Sequence, residues 1–232
     1  MHTVFKQFTK YFSIFELLLW GCSISSIVGS FFIFNTSSYL VLTASLIGVT
    51  SLIFNAKGNP FGQFLMIIFS VLYGIISYNF AYYGEMITYI GMTGPMALFS
   101  LLSWLNNPYD ETSSQVEINV LSKYEPLLLS LLTLVITCFF YFILKYFNTA
   151  NLALSTISVS TSFIAVYLTF RRSPFFAIAY GLNDIVLIGL WIIASLENNS
   201  YVSVVICFSV FLVNDIYGFV NWNAIKKLQK KA

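Results

Sequence analysis

Charge is what this sequence has least of: its 232 residues include only 11 Lys or Arg and 9 Asp or Glu. Soluble domains hold nearer a quarter of their residues as charges. At 9% charged and 58% hydrophobic, with a mean hydropathy of +0.83, a water-soluble fold is excluded. The net charge of +2 is too small for a nucleic-acid-binding surface, and no nucleic-acid partner is expected. Histidine is limited to the terminal His2. The three cysteines, Cys22, Cys138 and Cys207, lie in apolar runs without metal-ligand spacing. A metal centre and a disulfide framework are thereby excluded, and no cofactor is expected.

What is present is a series of apolar runs. After a basic, aromatic lead (Met1 to Phe12, with Lys6 and Lys10) they fall at Leu17–Phe34, Tyr39–Phe54, Phe61–Tyr78, Gly84–Trp104, Pro126–Tyr146, Leu152–Phe170, Pro174–Leu196 and Tyr201–Trp222. Each is close to the ~20 residues that a helix needs to span a bilayer. The first run is not read as a signal peptide, because no small-x-small cleavage site precedes a soluble domain and the next run follows within a few residues. The fold class is therefore all-α and polytopic, with eight transmembrane helices.

The loops test that count independently. With the sides alternating, one face receives Lys6, Lys10, Lys57, Lys123, Arg171, Arg172, Lys226, Lys227, Lys230 and Lys231, and the other only Lys145. Cytoplasmic loops collect Lys and Arg, so both termini and the one long loop, 105–125, are expected in the cytoplasm. In that loop Asp110, Glu111, Glu117 and Lys123 read as a solvated linker, half helical or hairpin-like. The expected division is an accessory first helix (1–36), a three-helix bundle (37–104), a loop and linker helix (105–147), a second bundle (148–223) and a basic tail (224–232). Tyr39 and Leu152 both start outside, so the two triplets run parallel, with a substrate path between them.

Two greasy segments each carry an Asn-Asp pair, Asn183-Asp184 and Asn214-Asp215. A carboxylate in mid-membrane costs roughly 2.5 kcal/mol or more by insertion scales and usually marks a functional site. Counted from the outer helix ends, Asp184 lies ~18 Å and Asp215 ~21 Å deep, at 1.5 Å per residue. Tyr180, Asp184, Leu187 and Trp191 share one helical face; Asn214, Tyr217, Gly218 and Asn221 share another, and Phe211, Asp215 and Trp222 a third. Aromatic walls beside carboxyl and amide groups suit a small ligand with a flat ring and a sugar, and a cationic ring gains cation–π attraction. The candidate substrate contacts are Tyr180, Asn183, Asp184, Trp191, Asn214, Asp215, Tyr217 and Asn221, with Tyr73 and Tyr89 from the first triplet. The bland alternatives are interhelical glue for the amides, close packing for the run from Ser155 to Ser162, and an interfacial belt for Trp191, Tyr201 and Trp222. Glu85 reads as a gate or a solvated end residue.

The run NTANLALSTISVSTSFIAVYLTFRRSPFFAIAYGLNDIVLIGLWIIASLE, continued by FLVNDIYGFVNW, closely resembles the PnuC-type nicotinamide riboside transporters. LIFNAKGNPFG followed by AYYGE resembles their first triplet, and the likeness runs from about Tyr39 to Lys226. It implies a three-one-three fold of the kind seen in SWEET sugar transporters. It further implies facilitated diffusion of a nucleoside-like vitamin, trapping by a cytoplasmic kinase without stable binding, a homotrimer, and a bacterial plasma-membrane location. Where relatives carry Asn or Gln, this chain reads Met66-Ile67-Ile68-Phe69, so the first half of the site is less polar. Other nucleosides, thiamine and riboflavin therefore stay open as substrates.

Two rival classes are weaker. An intramembrane aspartyl protease would carry Gly-x-Gly-Asp, but Asp184 and Asp215 follow Gly-Leu-Asn and Leu-Val-Asn. A substrate-capture subunit of an energised importer would need an ATPase partner. The chain is expected to be a transporter and not an enzyme, with the lipid bilayer and a small nucleoside-like substrate as its partners.

Overall fold

The structure, a computed structural model, describes residues 11–34, 38–79, 82–110 and 114–231. His2, Lys6, Lys10, Glu111 and the C-terminal Ala232 lie outside the described residues. Eight apolar helices long enough to span a membrane are found among the described residues. They are α1 (Ile14–Phe34), α2 (Tyr39–Ala56), α3 (Phe61–Asn79), α4 (Tyr83–Leu105), α5 (Glu125–Tyr146), α6 (Leu152–Phe170), α7 (Phe175–Ser195) and α8 (Val202–Gln229). In lipid no water is available to the backbone, so every N–H and C=O must be satisfied within the segment, and helices are the form these runs take.

The helices pack as two triplets. α2, α3 and α4 form one and α6, α7 and α8 the other, joined where α2 meets α8 and α4 meets α6. The first helix of each triplet thus packs on the third helix of the other, as a twofold relation along the membrane normal requires. α5 leans on α6, and α1 on α2 and α8.

The repeat is most legible at the turns inside the triplets. Lys57-Gly58-Asn59-Pro60 ends α2, and Arg171-Arg172-Ser173-Pro174 ends α6. In each, the second residue is left-handed (Gly58 φ 68°, Arg172 φ 54°). The next N–H closes back on the carbonyl of Phe54 or Leu168 (both 3.0 Å), and the proline opens the following helix.

The loop after α4 is a short hairpin with no helix among its described residues, bridged at Pro108 and Val116. It lies across the basic end as a strap. Val116 N–H donates to the Gly58 carbonyl (2.9 Å), Asn119 N–H to the Arg172 carbonyl (3.1 Å) and Ile118 N–H to Gln229 Oε1 (2.8 Å). Val116 is buried. Burial lowers the Arg172 guanidinium from its ordinary value, with Glu117 opposing the shift.

Candidate transport site

Between the triplets lies a cavity of about 20 Å³, room for little more than one water molecule. Its polar wall is Asp184 and Asn183 from α7, Asp215 from α8, Ser162 from α6 and Thr93 from α4; Tyr89 and Tyr180 flank these. The remaining wall is Leu52, Met66, Phe69, Phe208 and Phe211. Asp184 and Asp215 line the same cavity and lie close enough for their charges to interact. Asp184 Oδ2 is buried without a protein partner. Two carboxylates that close cannot both stay charged unless a proton or another cation lies near.

Local structure places each group. Asn183 Oδ1 accepts from three hydroxyls of α6, Thr161 (2.8 Å), Ser162 (3.0 Å) and Ser158 (3.4 Å), which fixes the amide at the cavity edge. The serine-threonine run is therefore both close packing and the support of the site. In α4 a π-turn over Tyr89–Thr93 precedes Pro95, which has no N–H to give; Gly94 N–H reaches back to the Tyr89 carbonyl. That widened turn brings both Tyr89 and Thr93 to the cavity. Phe69 and Phe211 (ring centroids 5.6 Å apart) rest on Gly48, where a Cβ would run into both rings. Of the apolar wall, the sequence pointed to Met66 and Phe69, where relatives are more polar, and to Phe211 on the Asp215 face, but passed over Leu52 and Phe208.

Five of the ten expected residues line the cavity: Tyr89, Tyr180, Asn183, Asp184 and Asp215. Tyr73 and Trp191 sit nearer the end opposite the basic one, joined by a Trp191 Nε1 to Tyr73 Oη hydrogen bond of 2.8 Å. The other three face elsewhere. Asn214 Nδ2 donates to Ser23 of α1 (3.0 Å), Tyr217 Oη to Glu16 of α1 (2.7 Å) and Asn221 Nδ2 to the Ala56 carbonyl (2.8 Å). Asn214 points about 100° round the helix from Asp215, and α1 docks on the face it presents. Glu16 also holds Lys57 (3.3 Å), which makes α1 a clamp on α2 and α8.

This geometry separates the two amides. Asn183→Leu is expected to weaken substrate binding by about 1–3 kcal/mol, the usual cost of an unsatisfied buried partner. Asn214→Leu is expected to leave binding within twofold and to lower only the melting temperature. Titration of both purified variants checks this, and equal loss of affinity in the two would contradict it.

Both ends of the cavity are shut by aromatic clusters. On the side away from the basic end Trp191 packs against Tyr82 (4.8 Å) and Tyr201 (5.5 Å). On the basic side Trp104 and Trp222 lie 5.3 Å apart, with Phe176 4.7 Å from Trp222. Their bonds are reciprocal across the repeat. Trp104 Nε1 donates to the Thr169 carbonyl (2.9 Å) and Trp222 Nε1 to that of Asn55 (2.7 Å). Ser103 bonds the Phe170 carbonyl (3.0 Å) as Asn221 bonds that of Ala56. Trp191 and Trp222 are fully buried, which overturns an interfacial-belt reading for both.

A polar cavity on the axis between two repeated bundles, closed toward both faces, is the arrangement of a membrane carrier. Residues 38–224 match the family described as nicotinamide mononucleotide transporters. The chain belongs to that family. A nicotinamide riboside transporter PnuC of Neisseria mucosa is 26% identical over 228 residues, covering 97% of this chain and 85% of that protein. The crystal structure of the vitamin B3 transporter PnuC superposes with a TM-score of 0.82 at 23% identity, covering 94% of each chain. These relatives are transporters and not enzymes, which disposes of the protease reading.

Proposed function

We propose that this chain carries nicotinamide riboside, or a closely similar cationic nucleoside, down its gradient into a bacterial cytoplasm. The observation that carries this reading is the facing pair Asp184 and Asp215 in a cavity walled by Tyr89, Tyr180, Phe69 and Phe211. A pyridinium ring fits both the negative charge and the ring faces, and its ribose fits Asn183 and Ser162. Ligand pockets for molecules of this kind run to about 300 Å³ or more, far above the closed cavity. The two bundles must therefore move apart to admit it, first at one end and then at the other. The Lys- and Arg-rich end is assigned to the cytoplasm by the charge rule, with both termini there. Trapping by a kinase and assembly into a trimer belong to the same proposal.

The test is flux in liposomes containing the purified chain. Nicotinamide riboside is expected to equilibrate in both directions without ATP, and an imposed proton gradient is expected to leave the end point unchanged. Accumulation above equilibrium only with that gradient would replace facilitated diffusion by proton symport. A parallel binding screen is expected to favour cations, nicotinamide riboside and thiamine, over riboflavin and uncharged nucleosides.

A further inference from the structure

Asp184 is not the only buried carboxyl with an oxygen that no protein donor reaches; Glu85 Oε2 is the other among the described residues. Glu85 sits in the first turn of α4 near the outer end and is only 1% exposed. The ion pairs found among the described residues are Lys57 with Glu16 and Arg171 with Glu125, neither of which involves Glu85. A buried carboxyl kept in this position with no basic partner and one oxygen unsatisfied costs folding energy and marks a function.

Its surroundings point to a ligand. Tyr89 lies one turn deeper on the same face of α4, about 6 Å along the axis, and lines the central cavity. Tyr73 and Tyr89, with ring centroids 4.4 Å apart, both lie close enough to interact with the Glu85 charge. Ser158 stands beside Glu85 and also reaches Asn183 (3.4 Å), so one hydroxyl borders both this carboxyl and the central site. The Thr149 hydroxyl, packed on Gly84, is likewise buried without a partner. Two unsatisfied oxygens, of Glu85 and Thr149, and the paired rings of Tyr73 and Tyr89 therefore lie next to the central cavity on its Glu85 side.

We infer that Glu85 with Tyr73 and Tyr89 forms a second, outer site for an organic cation, which the charged ring of the substrate occupies between the outer face and the Asp184–Asp215 pair. This rests on the cationic substrate proposed above. A neutral substrate gains nothing from such a site; a cation gains a carboxylate and two ring faces before the central cavity opens.

The experiment compares liposome uptake of nicotinamide riboside with that of its uncharged reduced form, for the parent chain, Glu85→Gln and Glu85→Asp. In Glu85→Gln the cation is expected to enter at least tenfold more slowly at low concentration. The reduced form should stay within twofold of the parent, and equilibrium affinity at the central site should be unchanged. Glu85→Asp, which keeps the charge, is expected to recover most of the preference for the cation. An equal loss for both forms, or no loss for either, overturns the outer site while leaving the carrier reading intact. Failure of the parent chain to take up the cation overturns the substrate reading and the outer site together.

Discussion

Asp184→Asn is expected to weaken binding of a cationic substrate about a hundredfold while an uncharged analogue of the same shape stays within fivefold. The change removes charge and keeps the side chain's size, so the two ligands separate electrostatics from packing. Unit charges ~4 Å apart at an effective dielectric of ~20 attract by about 4 kcal/mol. Desolvating both returns part of that, leaving roughly 3 kcal/mol, or about two factors of ten. Asp215→Asn is expected to act in the same direction because it faces Asp184 across the cavity. The double variant should cost less than the sum, since the two carboxyls share one ligand. Folding should not suffer, because removing charge from mid-membrane favours insertion. Titration calorimetry with both ligands, beside melting curves, decides the matter. Equal loss of both ligands together with a lower melting temperature would make the pair a structural element.

That the two carboxyls lie level with each other was legible in the sequence, because spanning helices have a fixed rise and their ends are marked by charge and turn residues. The direction each side chain takes was legible only in part. Asp184 and Asp215 emerge at the cavity, but Asn214, Tyr217 and Asn221 turn toward α1 and α2. Nothing in the helical period of α8 tells which of its polar faces meets the cavity, since that depends on where α1 docks. α1 itself looks like an ordinary apolar run, and only its buried Glu16, bonded to Tyr217 and Lys57, shows what it holds. Part of the apolar half of the cavity was hidden for another reason. Leu52 and Phe208 differ in no chemical respect from lipid-facing neighbours, and only packing singles them out. The repeat was hidden by divergent side chains, yet it survives where backbone geometry constrains the chain, at Gly58 and Arg172 and in the main-chain acceptors of the two tryptophans.

Those tryptophans give the second large effect: Trp222→Ala is expected to open the basic end. The indole fills space against Trp104 and Phe176 and satisfies the Asn55 carbonyl. Truncating a buried Trp costs about 3–5 kcal/mol in a core. Here the loss falls on the closed arrangement, because the contact joins the third helix of one triplet to the first helix of the other. An arrangement with the triplets parted at that end does not make the contact and loses nothing with it, so the balance moves toward opening. Cys207 is a native reporter, a buried free thiol on the same helix as Phe211 and close to Asp184. With the exposed Cys22 and Cys138 changed to Ser, a bulky water-soluble thiol reagent should label Cys207 at least tenfold faster in Trp222→Ala than in the parent. Trp104→Ala should behave alike, since its bond to the Thr169 carbonyl is the repeat's equivalent contact. Trp222→Phe, which keeps a ring and loses the donor, should fall between. Unchanged labelling with a lowered melting temperature would show that the cluster only packs the fold.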